Sequence, residues 1–91
     1  MNTTAASVSR TFSLTATGSR WVRACRANIE AITNEVLLSG AKADVNVDVT
    51  YFTREGIFST KITGARFDFI VTADTETMLA VISGLYMDLA H

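Results

Sequence analysis

The sequence predicts an α+β fold: a two-layer sandwich in β-α-β-β-β-α order, its four-stranded mixed sheet carrying two helices on one face. Three observations lead there. Asp44–Ala73 consists of runs of two-residue alternation punctuated by Glu55-Gly56 and Gly64-Ala65. Arg20–Leu38 and Thr75–Ala90 repeat their apolar residues at helical spacing instead. With 91 residues, no proline and 48% hydrophobic content, the chain suits one ordered domain around a single small core.

Taken in order, residues 1–7 are small and polar and are expected to be flexible, with one α+β domain over 8–91. Val8, Phe12, Leu14 and Ala16 alternate with Ser9, Thr11, Ser13 and Thr15, which predicts a strand; Arg10 falls on its apolar face and can snorkel outward. Thr17-Gly18-Ser19 then opens a helix, with Ser19 or Thr17 as its cap. Its core stripe is Trp21, Cys25, Ile29, Ile32 and Val36, flanked by Val22, and Ser39-Gly40 ends it.

In the central stretch Val45, Val47, Val49 and Tyr51 form the inner series of a strand. A two-residue turn at Glu55-Gly56 would set Val49 against Ile62, Tyr51 against Thr60 and Thr53 against Phe58. A second turn at Gly64-Ala65 would set Ile62 against Phe67 and Phe58 against Val71, with Lys61 facing Asp68 outside. Asp74 is then expected to cap a last helix whose core stripe is Met78, Ile82, Leu85 and Leu89.

The formal net charge of −1 predicts neither a non-specific nucleic-acid coat nor an acidic mimic of one. One cysteine excludes an internal disulfide framework and fits a reducing compartment. No apolar run reaches the roughly 18–20 residues of a membrane span, and residues 1–7 lack the pattern of a signal peptide. The expectation is a cytoplasmic protein with no membrane contact.

The element order over Val8–Ala90 resembles that of the double-stranded-RNA-binding domain preceded by one strand, and that of the ribosome hibernation-promoting factors. The first family places lysines at the start of its last helix, and the second carries basic residues along both helices. Here the last helix begins Thr75-Glu76-Thr77 and holds neither lysine nor arginine, so no site of either family carries over.

Three surfaces stand out as candidates for binding. Arg20, Arg23 and Arg26 crowd the first turns of helix one, against the preference of the helix dipole, and suit phosphates or a partner's carboxylates. The bland alternative is a solvated face with Arg26–Glu30 as an i,i+4 pair. Phe52 and Ile70, both flanking Ser59 in the register above, form an apolar patch on the outer sheet face. Ala80, Ser83, Gly84 and Met87 make a small, uncharged face on helix two that suits a homodimer contact.

Catalytic and metal signatures are missing. Asp44, Asn46, Asp48, Thr50 and Glu55 have the spacing of calcium-loop ligands, but Val49 stands where that loop needs glycine. Cys25 lies in the apolar stripe, and the one histidine is His91. The expected function is therefore that of a small non-enzymatic interaction module without cofactor or metal, of inhibitor or adaptor type as in phage or bacterial inhibitors. It would be homodimeric and bind a protein partner with an acidic surface; the alternative is an RNA- or ribosome-binding module using the three arginines.

Overall fold

The computed structural model describes residues 7–90; the flexibility expected of residues 1–6 lies outside them, as does His91. The elements are β1 (Val8–Thr17), α1 (Ser19–Leu38), β2 (Ala43–Glu55), β3 (Thr60–Ala73), α2 (Glu76–Met87) and a single 3-10 turn, Asp88–Ala90. They form one three-stranded sheet in the order β1-β3-β2, with β3 antiparallel to both neighbours. The α+β class stands, but the four-stranded mixed sheet and its β-α-β-β-β-α order do not. With them goes the element-order resemblance to the two RNA-associated families.

The error lies at Gly64-Ala65, which is no turn but the interior of β3. The apolar phase slips by one residue between Ile62 and Ala65, and a turn would explain that slip. A β-bulge explains it too: Phe52 pairs with Gly64 and Thr53 with Ile62, leaving Thr63 as the extra residue. Thr63 is held on two sides, its Oγ1 donating to the Phe52 carbonyl at 3.1 Å and its own carbonyl accepting from Gly18 N at 2.7 Å. Gly64 is glycine because β1 passes close by. A Cβ there would lie 2.7 Å from the Ala16 carbonyl oxygen.

The hairpin corner also moves. Glu55 pairs with Thr60, and Gly56–Ser59 is a four-residue loop closed by Gly56 N donating to the Ser59 carbonyl at 2.8 Å. Val49 therefore faces Phe67, and Tyr51 faces Ala65. Phe58 leaves the core for the loop, and Lys61 and Asp68 lie along one strand instead of across two.

β3 takes the centre because its inner series is the most apolar. Ala65, Phe67, Phe69, Val71 and Ala73 are all buried, and β1 and β2 flank them with Phe12, Leu14, Val45 and Val47. Burying Phe67, Phe69 and Val71 contributes on the order of 1.5–3 kcal/mol each. Phe12 stacks on Phe69 at 4.8 Å between ring centroids, and Tyr86 tilts against the same ring at 5.1 Å. Since β1 and β2 run parallel with β3 between them, α1 is the crossover of a split β-α-β unit.

Helix α1 starts from Gly18, whose φ of 93° is open only to glycine, and no side chain caps it; neither Ser19 nor Thr17 does so. Gly18 N is anchored to the bulge, which fixes the rotation of the first turn. Val22, Ile29 and Val36 consequently face the sheet, while Trp21, expected to head the stripe, is 57% exposed. At the other end Gly40, with φ of 73°, ends the helix as expected.

Helix α2 is capped by Thr75, not Asp74: the Thr75 Oγ1 accepts from Met78 N at 3.1 Å. Its buried side is Leu79, Ile82, Ser83 and Tyr86, and Leu85 turns outward. The Thr33 hydroxyl donates to the Ile29 carbonyl and lies 2.8 Å from the Tyr86 oxygen. Thr33 has one hydroxyl hydrogen, so Tyr86 is the donor in the bond that ties α2 to α1.

Candidate functional site

Arg20, Arg23 and Arg26 all lie exposed on the first half of α1. Arg23 and Arg26, with Glu30 one turn on, rim a groove of about 340 Å³ between α1 and the β2–β3 hairpin, where Val22, Tyr51 and Ile62 supply the apolar lining. The bulge matters here. By absorbing Thr63 it returns Ile62 to the helix side of the sheet, opposite Thr53 and next along from Tyr51. Arg20 stands outside this lining. Arg26, Ile29 and Glu30 continue the cleft over Val47 and Val49.

The guanidiniums are electrostatically unsatisfied. Among the described residues the only ion pair is Arg66–Asp68, at 3.2 Å. The Arg26–Glu30 pair allowed by the spacing is not made, and the first turn of α1 holds no acidic residue to offset its cations. The groove thus offers positive charge beside a half-exposed aromatic ring and an aliphatic wall. Those features suit carboxylates set in apolar surroundings.

The other candidate surfaces fare differently. Phe52 lies against Gly64, the position opposite it on β3, with its Cδ2 3.4 Å from where a Cβ would stand. Ile70 lies between Asn46 and Thr11, six residues along the strand from Gly64, or roughly 20 Å. Both are exposed on the outer face, but they form no common patch, because the turn that would have brought them together does not exist. On α2, Ala80 and Met87 are exposed and Gly84 is half-buried, whereas Ser83 is completely buried. The quartet is not one surface. No atom comes within 4 Å of a Cβ built on Gly84, so no neighbouring backbone in this chain accounts for that glycine.

The outer sheet face is mostly polar and carries charges of both signs. Asp48 stands directly opposite Asp68, and Asp68 is held by the Ser13 hydroxyl and the Arg66 guanidinium. The Ser13 hydrogen bond, followed by the Arg66 charge, lowers the Asp68 carboxyl below its ordinary range. The residues of calcium-loop spacing are strung along β2, and no three His, Cys, Asp or Glu side chains converge among the described residues. Cys25 is half-buried, and desolvation raises its thiol pKa, which disfavours the thiolate. No helix among the described residues is long and apolar enough to cross a membrane.

Two exposed apolar pairs lie elsewhere; the sequence placed Ile57 on the outer face, but Phe58 was expected inside and Leu37 and Leu38 went unremarked. Ile57 and Phe58 at the hairpin tip are 94% and 97% exposed, and Leu37 and Leu38 at the end of α1 are 70% and 88% exposed. For Leu37 and Leu38 the available signal was position, since both fall outside the stripe of Ile29, Ile32 and Val36 at the end of the helix. No family model matches this chain, and neither a curated protein nor a solved structure matches it.

Proposed function

We propose that this chain is a small non-enzymatic interaction module of inhibitor or adaptor type, working in the cytoplasm as a homodimer. Its groove between α1 and the hairpin takes a protein partner through an acidic, partly apolar surface. The observation that supports this most is the set of unpaired guanidiniums, two of which border an apolar groove. Desolvating a carboxylate against Arg23 and Arg26 forms charge-assisted bonds where the free chain has none. Tyr51 and Ile62 supply the apolar contact that makes such a site more than a solvated cationic face.

A second reading, an RNA- or ribosome-binding module, draws on the same place. Tyr51 is an exposed ring beside two guanidiniums, and such a ring can stack an unpaired base. Capture from a native lysate separates the two. With the wild-type chain, nuclease-resistant capture of a protein is expected, and at least about tenfold less with Arg23→Gln/Arg26→Gln or with Tyr51→Ala. Capture that nuclease abolishes, and that weakens with salt at a log–log slope near −0.7 per phosphate contact, selects the RNA reading. If all three chains retain the same partners in the same amounts, the groove is not the site.

A further inference from the structure

We infer that the homodimer forms by antiparallel edge-to-edge pairing of β2 with β2 of a second copy, in the register that sets Val49 opposite Val49. This deepens the homodimer proposed above and rests on it. The sheet has two open edges, β1 and β2. An edge strand is a template for further pairing unless something blocks it, and an inward-pointing charge is one such block. β1 carries that block in Arg10, which sits opposite Val71 in the helix-side series. β2 is longer, at 13 residues against 10, and its helix-side series is Ala43, Val45, Val47, Val49, Tyr51, Thr53 and Glu55, with no proline and its one charge at the last residue, beyond the stretch around Val49.

The charges choose the register. Residues directly opposite in an antiparallel pair share a face, so only every second offset is allowed. The offset of full overlap puts Ala43 opposite Glu55 of the second copy and Val49 at the two-fold axis. Asp44 then faces Arg54 of the second copy, and the symmetry makes that contact twice. Val47 faces Tyr51, Asp48 faces Thr50, and no like charges meet. One allowed step in one direction sets Asp48 on Asp48 and Arg54 on Lys42. One step in the other leaves Asp44 and Arg54 without each other.

Two features of the single chain lack a partner that this pairing supplies. Arg54 stands opposite Lys61 within the hairpin, two cations facing each other, while Asp44 stands opposite Thr72. An Asp44 carboxylate from the second copy neutralises the cationic end of the hairpin. The tip residues Ile57 and Phe58 lie just past Glu55. In this register they extend beyond Ala43 of the second copy, toward the end of the strand that α1 feeds, where Leu37 and Leu38 are themselves exposed. One symmetry operation therefore pairs the open edge, the uncompensated charges and the four most exposed apolar side chains. The two-fold axis stands perpendicular to a six-stranded sheet, so all four helices and both arginine-rimmed grooves share one face.

The test uses the full chain. Sedimentation equilibrium of the wild type should show a dimer, and a chain still monomeric at about 100 µM overturns this pairing and the homodimer together. Val49→Cys in a Cys25→Ser background should cross-link to itself under mild oxidation, since opposed strand residues fall inside the roughly 4.4–6.8 Å Cα window of a disulfide. Val47→Cys in the same background should cross-link poorly. A wild-type dimer whose Val49→Cys form gives no more cross-link than Val47→Cys overturns the β2 pairing and leaves the homodimer standing. Asp44→Arg and Arg54→Asp should each weaken dimerisation about tenfold, and the two together should restore it. Circular dichroism separates lost pairing from lost folding.

Discussion

A β-carbon added at Gly64 would sit 2.7 Å from the Ala16 carbonyl oxygen, whereas one added at Gly84 would meet nothing within 4 Å. The two glycines therefore respond oppositely to the same change. Gly64→Ala forces β1 and β3 apart and should cost about 1–3 kcal/mol by urea denaturation. Gly84→Ala in the interior of α2 should stabilise the chain by up to about 1 kcal/mol. At Asp68 the relevant measure is protonation. Its folded pKa lies below the ordinary 3.8, so the ionised carboxylate contributes stability above that value and the contribution fades as pH falls through the folded pKa. Ser13→Ala removes the first cause of the shift. A carboxyl titration by NMR should then show the Asp68 pKa moving upward, and an unchanged value would reassign the effect to Arg66.

At the scale of elements, α2 is held by a cap, a hydrogen bond and a packed face. Thr75→Ala should cost about 1 kcal/mol by removing the acceptor for Met78 N. Ser83→Ala works the other way, because the buried Ser83 hydroxyl has no hydrogen-bond partner among the described protein atoms. Removing an unsatisfied polar group should raise stability by about 1 kcal/mol, read as a shift in the urea midpoint. β1 and β2 were legible from alternation alone, whereas β3 was read as two strands because its phase slips at Thr63. α1 was legible in extent but not in rotation. Helical periodicity is equally satisfied by a stripe headed by Trp21 or by Val22, and the anchor between Gly18 and Thr63 decides between them.

Across the whole molecule, the long hairpin reaches past the part of β3 that β1 covers, since β1 pairs with β3 only from Gly64 to Ala73. Thr53–Ile62 is then a two-stranded ribbon, and such ribbons are marginal in water by themselves. Pairing β2 with a second copy widens the sheet at that place. The melting temperature should consequently rise with protein concentration, as mass action requires of a dimer linked to folding. A melting temperature independent of concentration over a hundredfold range, at concentrations spanning the dissociation constant, would contradict that linkage. Of the candidate surfaces, the exposure of Arg20, Arg23 and Arg26 on the first half of α1 was legible because their spacing is local in sequence. The patch of Phe52 with Ile70 depended on a turn that does not exist, and the helix-two face is broken by a rotation of α2 that buries Ser83.

Local patterns were enough to establish the class, the two helices, the inner series of β1 and β2, and that of β3 from Phe67 to Val71. They are short-range consequences of side-chain size and backbone period, and each residue carries its share of them. Tertiary structure alone decided that the slip between Ile62 and Ala65 is a bulge and not a corner. Both devices shift the alternation by one residue, so the pattern cannot tell them apart. The choice falls to β1, whose backbone lies against Gly64 and whose last residues feed Gly18 N to the Thr63 carbonyl, holding β3 straight where a turn would have folded it back.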